Sequence, residues 1–283
     1  SGRSSKYLSE DSVFETPLHL RLDEAINAKK MPEVIVAFPD GTSKLGCSQY
    51  INSPALGNYM DYISDEITDL LDAKFHTYKS ADFRGIMGHS SGGFGALVNG
   101  ILRSDRFRFV CSSAGDSFFE YSILSGLAGT MNDILKAGSI EKFVSEILTH
   151  PQPSSLGKKM HSLMTLSLAS CYAPNLTTKP LLGDLFFDLK TGALIEEVWE
   201  KYLNWDPIRL VERHEESAIE LKFIHLEAGL QDEYGLHLGH RQIAEKLKRL
   251  GINHQLEEYP GGHSGHNWRF LNRIQAMLEK MKA

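Results

Sequence analysis

The stretch Gly85-Ile86-Met87-Gly88-His89-Ser90-Ser91-Gly92-Gly93-Phe94-Gly95-Ala96-Leu97 sets a G-x-S-x-G pentapeptide where an apolar run changes into a helical one. A serine hydroxyl is a weak nucleophile at neutral pH. It needs exposure, a neighbouring base and backbone N–H groups that can hold an oxyanion. A strand-turn-helix elbow would expose Ser90 at the strand's end and aim the N–H of Ser91 at the developing negative charge. Glycines at 88 and 92 would relieve Cβ clashes in such a turn, and Gly93 and Gly95 would let the helix pack closely on a sheet. In a chain with 24 glycines the pentapeptide alone is a modest signal, so its partners decide its meaning. The plain alternative is a glycine-rich turn that only links strand to helix.

A nucleophilic serine requires a histidine to take its proton and a carboxylate to fix that imidazole's tautomer. Both should come from loops after later strands, because open α/β sheets gather their functional groups at the strands' carboxyl ends. Two loops qualify: Glu227-Ala228-Gly229-Leu230-Gln231-Asp232-Glu233-Tyr234 and Pro260-Gly261-Gly262-His263-Ser264-Gly265-His266-Asn267. They put Ser90, Asp232 and His263 in the chain order serine, acid, histidine that accompanies a nucleophile elbow. His266 is the alternative base, and Glu233 the alternative acid. The shorter Asp232 side chain suits a tight turn better, although it could simply cap the helix that follows. Asp206, in Trp205-Asp206-Pro207, reads as a helix cap with proline at the first helical position. Asp40 reads as turn chemistry. Asp116 follows a strand but lies away from the expected acid position, and His89 reads as support for the elbow.

These groups need a scaffold. Val34–Phe38 is a continuous apolar, β-branched run stopped by Pro39-Asp40-Gly41 and reads as a buried parallel strand. Tyr62, Ile63, Ile67, Leu70 and Leu71 recur at helical spacing and should pack on the sheet, leaving Asp65, Glu66, Asp69 and Asp72 to water. Further strands are expected at Phe83–Met87, Phe107–Cys111, Leu221–Leu226 and His254–Tyr259. The expected helices are Phe94–Leu102, one carrying Ile243, Leu247 and Leu250 and stopped by Gly251, and Trp268–Met281. This alternation means one α/β domain over 1–283, a mostly parallel sheet with helices on both faces. Residues 116–205 break the rhythm. They hold helical pieces at Ile140–Leu148 and Leu194–Tyr202, a break at His150-Pro151-Gln152-Pro153 and an apolar run over His161–Ala173, and read as a lid or cap insertion.

A net charge of -6 and a pI near 6.1 speak against nucleic acid or an anionic membrane as partner. Apolar runs are too short for a membrane span. Cys47, Cys111 and Cys171 are widely spaced and odd in number, which fits reduced, structural thiols and a cytoplasmic setting. No His, Cys, Asp or Glu grouping has metal-ligand spacing, and no cofactor is expected. The polar opening Ser1-Gly2-Arg3-Ser4-Ser5 has no initiator methionine and suggests a trimmed or processed chain.

Phe38-Pro39-Asp40-Gly41, Gly88-His89-Ser90-Ser91-Gly92-Gly93, Gly229-Leu230-Gln231-Asp232-Glu233-Tyr234 and Glu258-Tyr259-Pro260-Gly261-Gly262-His263 together resemble the putative-esterase (esterase D type) family of α/β-hydrolases. The resemblance runs from about residue 33 to 270 and touches Asp184–Asp188, Gly192 and Trp205-Asp206-Pro207. It implies a serine esterase acting on a small ester or thioester through Ser90, Asp232 and His263, and a possible homodimer. It also implies an apolar strand ahead of residue 33 whose loop supplies a second oxyanion N–H. This sequence shows no such strand, so either the first strands are missing or another amide substitutes. One such donor is worth about 2.7–4 kcal/mol of transition-state stabilisation. Two alternatives stay open: an acyltransferase using the same three residues, and a non-catalytic α/β scaffold.

Overall fold

The structure, a computed structural model, describes residues 7–8, 16–152 and 156–281. The expected polar opening at Ser1–Ser5 and Pro153 in the expected break lie outside the described residues, as does the side chain of Cys47.

Four strands, β1 (Gly85–His89), β2 (Phe109–Ser113), β3 (Phe223–Gly229) and β4 (His254–Tyr259), form one parallel sheet in the order β1-β2-β3-β4. Register pairs Gly85 with Phe109, Phe109 with Phe223 and Ile224 with His254. Every residue of β2 and β3 is buried, as central strands under helices on both sides require. Three of the strands start about two residues later than the apolar runs suggested. Ala81–Phe83 is a 3-10 turn that carries Phe83 out to solvent before β1 begins.

The helices include α1 (Leu18–Asn27), α2 (Ser91–Leu102), α3 (Leu127–Ala137), α4 (Ile140–Thr149), α5 (Lys158–Tyr172), α6 (Glu196–Leu203), α7 (Pro207–Arg213), α8 (Leu236–Arg249) and α9 (Phe270–Met281). Side chains alternate across β2 and β3, so each strand feeds two cores. Val110, Ile224 and Leu226 join α2, α7 and α8 in the main core. Phe109, Cys111 and Phe223 meet Met277 of α9 on the other face, where α1 packs alongside α9. Gly251 ends α8 with a positive φ of 68°, its N–H bonded to the Lys248 carbonyl, as a C-terminal glycine should.

The region 116–205 supplies α3 to α6, and its core is continuous with that of the sheet. Phe94 of α2 packs against Phe119 and Tyr172, and Tyr172 against Tyr202, at ring separations of 5.3–6.1 Å. At its far end Asp206 is fully buried and caps α7 by accepting from Ile208 N–H. The same carboxylate also accepts from the Phe118 and Phe119 N–H groups and pairs with Arg209, which ties the region's two ends together.

Two local expectations fail for physical reasons. Residues 32–40 have no regular secondary structure and join no ladder, with Ile35 46% exposed, so Val34–Phe38 is not a buried parallel strand. This run and β1 instead both line one cavity of about 1170 Å³, and β1 is an edge strand of the described sheet. In the helix after residue 58, Tyr62–Ile67 is wound as a π-helix. The wider turn rotates the buried face onto Ile63, Ser64 and Thr68 and leaves Leu70 51% exposed. The buried hydroxyls of Ser64 and Thr68 donate to the carbonyls of Met60 and Ser64. Asp65 and Asp72 face arginines rather than open water: Asp65 pairs with Arg103 and Arg106, and Asp72 with Arg84.

Candidate active site

Ser90 stands between β1 and α2 with φ 59° and ψ -126°, a backbone conformation that a non-glycine residue rarely adopts and that tends to mark a functional turn. The elbow closes tightly because Gly88 lacks a side chain: a Cβ there would lie 2.3 Å from the Gly92 carbonyl group. Gly92 itself has room, with nothing nearer than the Tyr50 ring at 4.0 Å, so only one of the pentapeptide's two glycines is sterically demanded. Gly93 lets α2 settle onto the end of β2, since its Cβ would meet the Ser113 carbonyl at 2.8 Å. Gly95 faces the Tyr50 ring rather than the sheet. Ser91 opens α2, so its N–H is among the helix's unpaired first donors.

The loops after β3 and β4 bring the other two groups to this point. His263 Nε2 lies 3.0 Å from Ser90 Oγ, and His263 Nδ1 lies 2.9 Å from Asp232 Oδ2. Asp232 Oδ1 also accepts the Tyr234 N–H at 2.9 Å. Glu233 accepts the backbone N–H of His263 through Oε2 at 2.8 Å, so the two candidate acids divide the histidine between them: Asp232 takes the ring and Glu233 the main chain. Burial tends to raise the Asp232 carboxyl, but the hydrogen bond and charge of His263 and the N–H groups of Tyr234 and Leu236 outweigh it and hold it below the ordinary range.

The alternative base, His266, lies elsewhere. Its ring packs against Tyr259 at 4.6 Å and fills the space beside Gly261. His89, read as support for the elbow, lies with its ring 4.8 Å from that of His263 and its Nδ1 3.3 Å from Ser113 Oγ. Asp40 accepts from the Thr42 N–H within its turn, and Glu196, Glu197 and Glu200 are exposed.

Two features have no signal in the sequence, and a third, Asp116, follows a strand as expected but lies nearer the site than its place suggested. Asp116 is partly buried close to the charges of His263 and Asp232, and burial, only partly offset by His263, pushes its carboxyl up to about 6. Its place three residues past β2, at the carboxyl end of the sheet, is what brings it there. His240 of α8 is fully buried, accepts the Gly115 N–H at 3.2 Å and is pushed down to about 4 by that burial, so it serves as a neutral acceptor beneath the β2 loop. Behind the site, ligand atoms of His225, Glu227 and Glu257 lie within 4.8 Å of one another. Guanidinium groups already provide the positive charge there: Glu227 pairs with Arg269 and Arg273, and Glu257 with Arg269. Among the described residues no helix is long and apolar enough to cross a membrane, and Cys111 and Cys171 are both buried.

Solved structures share the fold at low identity. A ferulic acid esterase superposes with a TM-score of 0.55 at 15% identity, the match spanning 93% of this chain and 77% of that one. The fluorophosphonate-binding serine hydrolase FphF of Staphylococcus aureus gives a TM-score of 0.53 at 15% identity, over 99% of this chain and 89% of its own. MPT51 of Mycobacterium tuberculosis gives 0.50 at 15%, over 93% and 81%. The sheet and its covering helices are thus those of the α/β-hydrolase fold. A family model matches residues 14–278, and the chain belongs to the family it describes, Putative esterase, as a hydrolase of the carboxylester-cleaving kind.

Proposed function

We propose that the chain cleaves a small carboxylic ester or thioester through an acyl-enzyme formed on Ser90. Ser90 Oγ attacks the carbonyl carbon while His263 Nε2 takes the hydroxyl proton. The same proton goes to the leaving alcohol or thiol as the tetrahedral intermediate collapses. Asp232 keeps the other imidazole proton on Nδ1 and balances the imidazolium charge, and the Ser91 N–H faces the oxyanion. Water, activated by His263, then releases the acid from Ser90. No cofactor enters these steps.

The observation that supports this reading is the unbroken chain of contacts from Ser90 Oγ to His263 Nε2 at 3.0 Å and from His263 Nδ1 to Asp232 Oδ2 at 2.9 Å. Membership of an esterase family makes hydrolysis the expected outcome of that arrangement. In this reading the helical region 116–205 forms a lid beside the nucleophile. Turnover of p-nitrophenyl acetate and butyrate by the wild type, set against Ser90→Ala, tests the proposal. Hydrolysis should vanish in the variant, and an undiminished rate would eliminate Ser90 as nucleophile.

A further inference from the structure

Four rings form a row through the site. His161, on α5 of the 116–205 region, stacks on Tyr234 with centroids 5.3 Å apart and planes 23° from parallel. Tyr234 meets His263 nearly perpendicularly, at 4.8 Å and 83°. His263 in turn lies 4.8 Å from His89. Gly126 also packs against the His161 ring, since a Cβ on Gly126 would lie 2.5 Å from His161 Nε2. Gly126 and His161 both belong to the 116–205 region, whereas Ser90, Asp232 and His263 all come from loops at the sheet's end.

Tyr234 therefore touches the site twice. Its main-chain N–H holds Asp232 Oδ1, and its ring abuts the imidazole that Asp232 orients. Two hydrogen bonds at opposite nitrogens fix an imidazole's direction but leave it free to swing about the line joining them. Rings packed against it restrict that swing. Burial lowers the His161 imidazole below its ordinary value, which favours the neutral ring and suits stacking on a phenol.

We infer that Tyr234 and His161 are positioning residues: together they latch the 116–205 region onto His263 and hold its imidazole in line with Ser90. The inference rests on Ser90 and His263 acting as proposed above. Neither ring takes part in bond making. Each sets how often the Ser90–His263 contact is formed, so the effect belongs in kcat rather than KM.

The experiment measures kcat and KM on p-nitrophenyl butyrate, the rate of fluorophosphonate labelling and the thermal midpoint. The variants are Tyr234→Ala, Tyr234→Phe, His161→Ala, His161→Phe and Ser90→Ala. Losing either ring should lower kcat and the labelling rate together by about tenfold to a hundredfold, the scale of a misplaced catalytic group, with KM nearly constant. The two phenylalanine variants, which keep a flat ring, should recover most of that loss. If Tyr234→Ala melts below the assay temperature, His161→Ala decides instead, because His161 lies on α5, outside the loop that carries Asp232. Wild-type kcat and labelling in both alanine variants, with Ser90→Ala inactive, would overturn the latch and leave the nucleophile standing. A kcat loss that follows the thermal midpoint and is not recovered by phenylalanine would overturn it as well. Activity retained by Ser90→Ala would instead strike the underlying reading.

Discussion

His263 Nε2 and Ser90 Oγ lie 3.0 Å apart although 173 positions separate them in the chain. β1 and β4 sit at opposite sides of the described sheet, three strand spacings or roughly 14 Å apart. The loop after β4 must therefore turn back across the end of β3. Gly229, the last residue of β3, makes that path possible: a Cβ there would lie 2.3 Å from the Gly261 carbonyl oxygen and 2.6 Å from that of Gly262. The crossing is then fastened by Gln231 N–H to the Gly261 carbonyl, Gly261 N–H to Gln231 Oε1 and His263 N–H to Glu233.

Gly229→Ala should accordingly act at a distance from the chemistry. The new methyl group lifts the 260–263 loop, and a shift near 1 Å at His263 should lower kcat on the order of a hundredfold. The core beneath the loop is untouched, so the thermal midpoint should move by only a few degrees. Steady-state kinetics and a melting curve on one sample check both halves. Unchanged kcat would mean that the loop reaches Ser90 by some other support.

Asp232→Asn keeps the size of the side chain but removes the charge and invites the wrong imidazole tautomer. The expected loss is on the order of 10⁴ in kcat, with KM little altered. Asp232 is held below the ordinary carboxyl range, so its charge adds stability above its unfolded value of 3.8, and that contribution fades as pH falls through the lower folded value. The variant should therefore lose most stability near neutrality and little in strong acid, which denaturant titrations at several pH values would reveal.

Much of this arrangement was legible because it depends on short-range signals. The strand His254–Tyr259, the glycine-flanked His263 and the capping residue Asp206 are each announced by a few adjacent residues. What the sequence could not disclose depends on partners. Val34–Phe38 has the composition of a central strand, yet a strand exists only by pairing, and no neighbour in the described sheet meets it. A helical period of 3.6 places Leu70 on the buried face, but the π turn at Tyr62–Ile67 resets that period. Tyr234 and His161 are 73 positions apart, and neither carries a local mark of stacking on the other.

The charged group behind the site is expected to be costly to break. Glu227 and Arg273 are each 1% exposed, and Arg269 is 7% exposed. Burial tends to raise the Glu227 carboxyl, but Arg273 and Arg269 hold it below the ordinary range. Glu227→Gln removes their shared counter-charge and should destabilise the fold by about 3–5 kcal/mol, the scale for an orphaned buried charge. The double change Glu227→Leu with Arg273→Met, which removes charge from both sides, should cost less than Glu227→Gln. Chemical denaturation of the three proteins tests the ordering, and equal stability of Glu227→Gln and wild type would refute it.

Asp116 runs in the opposite direction from Asp232. Its folded carboxyl, at about 6, lies above the 3.8 of the free side chain because burial disfavours the charged form. The folded state thus binds this proton more tightly than the unfolded chain does. The associated stability is full below 3.8 and is lost as pH rises through about 6. Asp116→Asn is neutral at every pH and escapes that loss. It should match the wild type near pH 3.5 and exceed it above pH 6.5 by about 2–3 kcal/mol, since each tenfold difference in proton affinity between the two states is worth roughly 1.4 kcal/mol. The window also separates this effect from Asp232, whose contribution is already complete above 3.8 and changes only at lower pH. A stability difference between Asp116→Asn and wild type that stays flat from pH 4 to 7 would show that this carboxyl ionises without penalty beside His263.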